Sequence, residues 1–225
     1  MKIYGIYVKC DQNLKKQFGL KEIEIVKGVD TRNGKWKRFA SKIDQHACQK
    51  LENTIKTNFR DYHHDLTEGA VGCFLSHLTI YEKFLKDSNE QYALVFEEDT
   101  IVHPHIAFSL ESQSFPLHMD IVFLNHCLMK KIRYNKDYYR LLPDGHFWMT
   151  NAYIISRKGA RKIIKHSEKN KIKMQFDSYL SSLHQQKYLS LFFTSFCYFP
   201  QKKQHETTVQ TSQIKNHHCY DLAML

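Results

Sequence analysis

Three consecutive carboxylates, Glu97, Glu98 and Asp99, follow the apolar run Tyr92-Ala93-Leu94-Val95-Phe96. Adjacent like charges repel one another, and beside a buried strand they are costly unless a cation neutralises them. Hard carboxylate oxygens suit Mg²⁺ or Mn²⁺, ions that bind through one or two carboxylates together with substrate phosphates. In an extended segment residues 97 and 99 project to one side and Glu98 to the other, so Glu97 and Asp99 are the candidate metal pair. An ion held there can clamp a diphosphate and relieve its charge as it departs. An exposed acidic turn after a strand accounts for the same three residues, and the triplet alone does not choose.

A second group lies twenty residues upstream, in Gly69-Ala70-Val71-Gly72-Cys73-Phe74-Leu75-Ser76-His77. Gly69 and Gly72 allow close backbone approach, either to a neighbouring element or to a ligand. Ser76 and His77 are polar groups in an apolar stretch; they either hydrogen-bond a sugar or phosphate, or satisfy each other and the backbone inside the core. They are not a nucleophile and its base, because adjacent helical side chains do not face each other. Cys73 reads as a small buried hydrophobe.

These groups must be positioned by regular elements. Strands are predicted at 2–8, 22–26, 91–96, 120–124 and 189–196, with a further strand core at 153–155. The clearest helix spans 67–85, where Val71, Phe74, Leu75, Leu78, Tyr81 and Leu85 recur at helical spacing and Thr67 or Glu68 caps the start. Another begins at Ser156, a third near Asp177, and 36–51 is helix-compatible. Strands alternating with helices predict an α/β fold, a central mainly parallel sheet flanked by helices, in a single domain. Ligands in such sheets bind beyond the carboxyl ends of the strands, which is where residues 97–99 fall.

The formal net charge of +10 is unevenly spread. Residues 157–173 carry eight Lys or Arg against Glu168, and 130–140 carry five against Asp137. Such clusters attract nucleic acid, an anionic membrane surface or a phosphorylated substrate, or are simply solvated faces. The nucleic-acid reading finds no recognition motif and leaves residues 97–99 unexplained. Six scattered cysteines without a C-x-x-C pair favour free thiols over a disulfide framework. Residues 1–7 lack the apolar centre and cleavage site of a signal peptide, and no run of 18 apolar residues occurs, so a cytoplasmic protein is expected.

Taken together, several segments resemble glycosyltransferase family 25. They are Val26-Lys27-Gly28-Val29-Asp30, Gly69-x-x-Gly72-Cys73-x-x-Ser76-His77, Tyr92 to Asp99, Asp120-Ile121-Val122-Phe123-Leu124, and Asn151 to Lys162, with Asp177 beyond. Order and spacing match over about residues 1–210, leaving most of the polar tail 201–225 outside. The resemblance implies a GT-A-like nucleotide-sugar fold and an inverting transfer of a hexose, galactose or else glucose, from a UDP-sugar to a glycan or glycolipid acceptor of the lipopolysaccharide or lipooligosaccharide kind. It further implies Mn²⁺ or Mg²⁺ at Glu97 and Asp99, Asp177 as the base, and donor contacts from Asp30, Gly69, Gly72, Ser76, His77 and Glu98. For Asp177 an N-cap role on a helix starting at Ser178 is the plainer alternative, and for Asp30 a turn role. His205, His217 and His218 either complete the metal shell or cover the donor, or are solvated tail residues.

The family's acidic triplet is usually Glu-Asp-Asp, so Glu98 is a longer middle carboxylate. Asn13-Leu14-Lys15-Lys16 offers Lys where two Arg are expected, and Ala70 stands where Glu is common. Two other classes remain at this point: an inactive relative that binds glycans, and a basic nucleic-acid binder. Working on a membrane-embedded glycolipid would give the basic segments a purpose as peripheral contacts with an anionic surface.

Overall fold

A computed structural model describes residues 1–8, 23–101, 110, 113–125 and 127–199, together with the backbone of 215–216. The elements in chain order are β1 (Lys2–Tyr7), β2 (Ile23–Lys27), a 3₁₀ segment (Lys35–Lys42), α1 (Gln45–Thr57), β3 (Phe59–Arg60), α2 (Glu68–Asp87) and β4 (Tyr92–Glu97). After these come β5 (Ile121–Phe123), β6 (Cys127–Arg133), β7 (Tyr138–Trp148), β8 (Ala152–Ser156), α3 (Arg157–Lys169), α4 (Phe176–Gln185), β9 (Leu191–Thr194) and β10 (Lys215–Asn216).

Eight strands form one sheet in the order β2-β1-β4-β8-β5-β9-β7-β6. The fold is α/β, as the alternation of elements predicts, but the sheet is mixed rather than mainly parallel. β1 pairs in parallel with β2 and β4, and β5 with β9, whereas β8 is antiparallel to both β4 and β5 and β7 is antiparallel to β6 and β9. The reason lies in the connection from β5 to β8. It runs through the β6–β7 hairpin instead of a crossover helix, so β8 returns in the opposite sense. In the sequence that hairpin reads as a basic cluster, and its polar, exposed β6 carries no apolar alternation to reveal a strand.

β4 alternates its side chains into two separate apolar layers. Ala93 and Val95 join the layer under α2, α3 and α4, while Leu94 and Phe96 join Val122, Ile154, Phe192 and Phe199 on the other face. That two-sided burial is why the strand reads as an unbroken apolar run.

Local chemistry sets the helix ends. Thr67 caps α2, its side chain accepting from Ala70 N at 3.1 Å. Arg157 closes the far end, donating to the carbonyls of Phe84, Leu85, Ser88 and Glu90. Ser156 caps α3 through Gly159 N at 3.0 Å. The single helix-compatible stretch at 36–51 is two elements. Ile43 is extended and bridges to Ile172, and Asp44 starts α1 by accepting from His46 N and Ala47 N.

Candidate active site

The carboxyl end of β4 delivers Glu97 beneath α2, where two groups converge on one of its oxygens. His77 Nε2 lies 3.0 Å from Glu97 Oε1, and Thr150 Oγ1 donates to the same oxygen at 2.9 Å. His77 is fully buried, and its other nitrogen, Nδ1, is 2.7 Å from the Tyr153 hydroxyl. Tyr81 OH donates in turn to Tyr153 OH at 2.9 Å. An ionised carboxylate only accepts, so Nε2 carries the hydrogen. The proton order then runs Tyr81 to Tyr153 to His77 to Glu97, with every member satisfied. Burial opposes ionisation of Glu97, but the hydrogen bonds from His77 and Thr150 hold its carboxyl below the usual range.

The same imidazole fixes a second acid. Its ring stacks on Phe176 with centroids 4.5 Å apart and planes 9° from parallel. Phe176 opens α4, and Asp177 is the next residue. Gln175, not Asp177, occupies the capping position, so the N-cap reading of Asp177 does not hold; its carboxylate sits in the first turn and accepts from Ser178 N at 2.6 Å. Burial, together with the nearby charge of Glu97, pushes Asp177 up to about 6 against the lowering effect of Ser178 and Arg60.

Asp99 is buried in the turn after β4. The Cys73 thiol is pushed well up, by burial and then by the charges of Glu97, Asp177 and Asp99. Glu97 is the last residue of β4 and Asp99 lies in the turn, so the extended alternation expected across 97–99 stops at Glu97. Glu98 turns elsewhere, its Oε2 accepting from Val8 N at 3.0 Å and tying the exit of β1 to the acidic turn.

The remaining sequence candidates stand behind these acids. Ser76 is buried, donates to Gly72 O at 2.6 Å and accepts from Val29 N at 2.8 Å, clamping the loop after β2 to α2. Gly72 makes that approach possible, since a Cβ there would lie 2.3 Å from Val29 O. Thr31 donates to Glu68 O, and the Glu68 carboxylate accepts from Asn33 N and Gly34 N. Asp30, in the loop so held, bonds Arg32 Nε at 2.8 Å and Lys35 Nζ at 2.9 Å, which keeps its carboxyl well below the usual range. Gly69 lies half-buried in the first turn of α2. Direct donor contact by Ser76 and His77 is not what the geometry gives, because both are buried with their polar atoms engaged. The structural reading holds in part: Ser76 bonds the backbone inside the core, but His77 bonds Glu97 and Tyr153 rather than Ser76. His205, His217, His218 and residues 13–16 lie outside the described residues.

Two carboxylates, one of them anchored through a single oxygen by a buried imidazole and a hydroxyl, form a hard donor set of the kind Mg²⁺ and Mn²⁺ take. Ligand atoms of Cys73, His77 and Glu97 also fall within 4.8 Å of one another. That trio does not suit a soft metal as it stands, since the thiol is held protonated and both imidazole nitrogens are engaged. By residue type Glu97 and Asp99 suit the expected ion; Cys73 does not.

Sequence reasoning missed Thr150, Tyr153, Tyr81 and Phe176. Tyr153 belongs to a quoted segment, but nothing in one sequence shows that a strand on one side of a sheet neighbour completes the bonds of a helix 76 positions earlier.

The family model of glycosyltransferase family 25 (LPS biosynthesis protein) matches residues 9–180, and the chain belongs to that family. It is 29% identical over 127 residues to procollagen galactosyltransferase 1 of Danio rerio, covering 53% of this chain and 21% of that protein. It is 30% identical over 109 residues to a probable inactive glycosyltransferase 25 family member 3 of Bos taurus, covering 44% and 18%. A glycosyltransferase 25 family member of Anopheles gambiae is 26% identical over 124 residues, covering 51% and 20%. The chain thus spans about a fifth of the length of these curated relatives. No helix of the described residues is long and apolar enough to cross a membrane.

Proposed function

We propose that the chain is an inverting glycosyltransferase of GT-A-like architecture that moves a hexose, galactose or else glucose, from a UDP-sugar to a glycan acceptor of the lipopolysaccharide or lipooligosaccharide kind. The observation that carries the reading is the Glu97 carboxylate at the carboxyl end of β4, held on one oxygen by the buried His77 and by Thr150. The name of the zebrafish relative supports galactose.

In this reading Glu97 and Asp99 hold Mn²⁺ or Mg²⁺, which relieves the charge on the departing diphosphate. His77 and Thr150 fix the Glu97 carboxylate so that it needs no reorganisation. Asp177 accepts the acceptor hydroxyl's proton; the oxygen bonds the anomeric carbon from the face opposite the leaving diphosphate, and the configuration inverts. The loop held by Gly72 and Ser76 presents Asp30 to the donor and the first turn of α2 presents Gly69, while Glu98 keeps the end of β1 in register with the acids. Activity at a cytoplasmic membrane face, on a glycolipid, belongs to the same proposal.

The test is nucleotide diphosphate release by the purified protein from a panel of nucleotide sugars with Mn²⁺, with and without EDTA. Release from one UDP-hexose, lost with EDTA and in Asp99→Ala, is expected. The bovine relative's name supports a second reading, a glycan-binding protein without turnover. Silence across the panel, with no shift in melting temperature from UDP and Mn²⁺, would favour that one.

A further inference from the structure

Of the seven large hydrophobic side chains exposed among the described residues, four lie together on the β6–β7 hairpin and the chain just after β9. They are Ile132 (54%), Tyr134 (46%), Leu142 (36%) and Phe196 (70%). Concentration of this kind marks a contact surface, whereas scattered apolar residues need no explanation.

Ile132 is directly opposite Arg140 across the hairpin, and Leu142 lies just past the last regular pair, Lys131 with Leu141, where the register shifts. The Arg140 guanidinium lies over the Phe192 ring at 5.2 Å, and Tyr134 meets that ring edge-on at 5.0 Å. Phe196 stands beside the hairpin turn, where Ser195 N donates to Asp137 O at 2.8 Å. The hairpin also carries Lys130, Lys131, Arg133, Lys136 and Arg140 against Asp137 and Asp144; Lys130 pairs with Asp144 at 2.6 Å, and Lys131 lies over the Tyr139 ring at 4.6 Å.

The other basic segment differs. On α3, Arg157 is spent on the carbonyls that end α2, and Lys162 donates to Asp120 Oδ2 and Tyr188 O. The large hydrophobics exposed among the described residues include none from α3. Of the two basic segments, the hairpin is the one that combines positive charge with exposed aromatic and aliphatic side chains among the described residues, the composition that inserts into the headgroup layer of an anionic bilayer.

Strand direction adds the orientation. β4 and β5 both run antiparallel to β8, and β9 runs parallel to β5, so β4 and β9 point the same way. Tyr138 pairs with Thr194 at the carboxyl end of β9, which puts the hairpin turn on the same sheet edge as Glu97–Asp99.

We propose that the β6–β7 hairpin with Phe196 is a peripheral docking surface for an anionic lipid bilayer, and that docking turns the acid-bearing sheet edge toward the membrane. Lipid binding stands on the surface alone. The orientation rests on the glycolipid-acceptor reading above.

The experiment is co-sedimentation of the purified chain with vesicles of phosphatidylcholine alone, and of phosphatidylcholine containing about a third phosphatidylglycerol. Binding is expected only to the anionic vesicles. Lys131→Glu with Lys136→Glu should weaken it at least about tenfold, whereas Arg161→Glu with Lys165→Glu on α3, an equal change in net charge, should leave it within about twofold. Ile132→Ser with Phe196→Ser, which keeps the charge, should also weaken it about tenfold. Circular dichroism and melting temperature confirm that these exposed substitutions leave the fold intact. Equal loss from both charge-reversal pairs would overturn the proposal, as would equal binding to both vesicles or none to either. Concentration-dependent self-association abolished by the hairpin variants would assign the surface to a second copy of the chain instead. Nucleotide diphosphate release by the Ile132/Phe196 variant, measured without vesicles, is expected to match the parent, which separates failure of docking from failure of the transferase reading.

Discussion

His77 Nε2 and Glu97 Oε1 sit 3.0 Å apart, joining the middle of α2 to the last residue of β4. The bond connects a histidine with no solvent exposure to an acid at the edge of the candidate site, and the Phe176 stack makes the same ring a support for Asp177. His77→Phe keeps the stacking surface but leaves the Tyr153 hydroxyl and Glu97 each short of a partner. A loss of about 1–3 kcal/mol in denaturant unfolding is expected. Donor turnover should fall more than tenfold even where the variant is fully folded, because Glu97 loses the group that fixes it. Unchanged turnover in a destabilised variant would confine His77 to a structural role.

Gly72 is a site of direct backbone contact between helix and loop. In Gly72→Ala the new methyl would lie 2.3 Å from Val29 O and 2.6 Å from Thr31 Oγ1, so helix or loop must move. The expected cost is about 1–3 kcal/mol by urea unfolding, with weaker stabilisation by UDP. Ser76→Ala removes the acceptor for Val29 N and should cost about 1 kcal/mol. Equal UDP-induced shifts in the parent and both variants would detach this loop from donor binding.

How much of this was legible in the sequence follows from the range of each interaction. α2 was readable because its cap, apolar spacing and charge pattern are local, and β4 because burial on both faces leaves an unbroken apolar run. The acidic turn was legible from residue type alone. The antiparallel setting of β8 was not, since Asn151 to Ser156 has the same composition whichever way it pairs. Nor was the role of His77, whose partners lie 20 and 76 positions away. The break between the 3₁₀ segment and α1 was hidden because Asp44 is equally acceptable in a loop or at a cap.

Part of the basic surface serves the fold. Asp120 is fully buried, and Lys162 Nζ at 2.6 Å is its cationic partner, with Ser190 N bonding the same oxygen at 2.8 Å. Lys162→Met should destabilise by about 3 kcal/mol, because the buried carboxylate loses its counter-charge. Lys165→Met, one residue from Ile164 on the same helix and exposed, should stay within about 0.5 kcal/mol. Thermal or denaturant unfolding of the pair checks this, and equal effects would mean the Asp120 contact contributes nothing.

Asp177 ties stability and proposed activity to pH in opposite directions. Burial raises it to about 6, above the ordinary carboxylate range near 4. The folded chain therefore holds this proton more tightly than the unfolded chain does. Between those two values stability falls as pH rises, and above about 6 the penalty is complete. A base must be unprotonated, so turnover should rise about tenfold per pH unit below that value and level off above it. Asp177→Asn keeps an acceptor for Ser178 N while removing the charge. At neutral pH the variant should be as stable as the parent or up to about 2 kcal/mol more stable, yet inactive. Melting temperature and donor consumption measured across the same pH series test both halves. An inactive variant whose stability follows the parent's pH dependence would place the raised pKa on another group, and near-normal turnover would remove Asp177 from the chemistry.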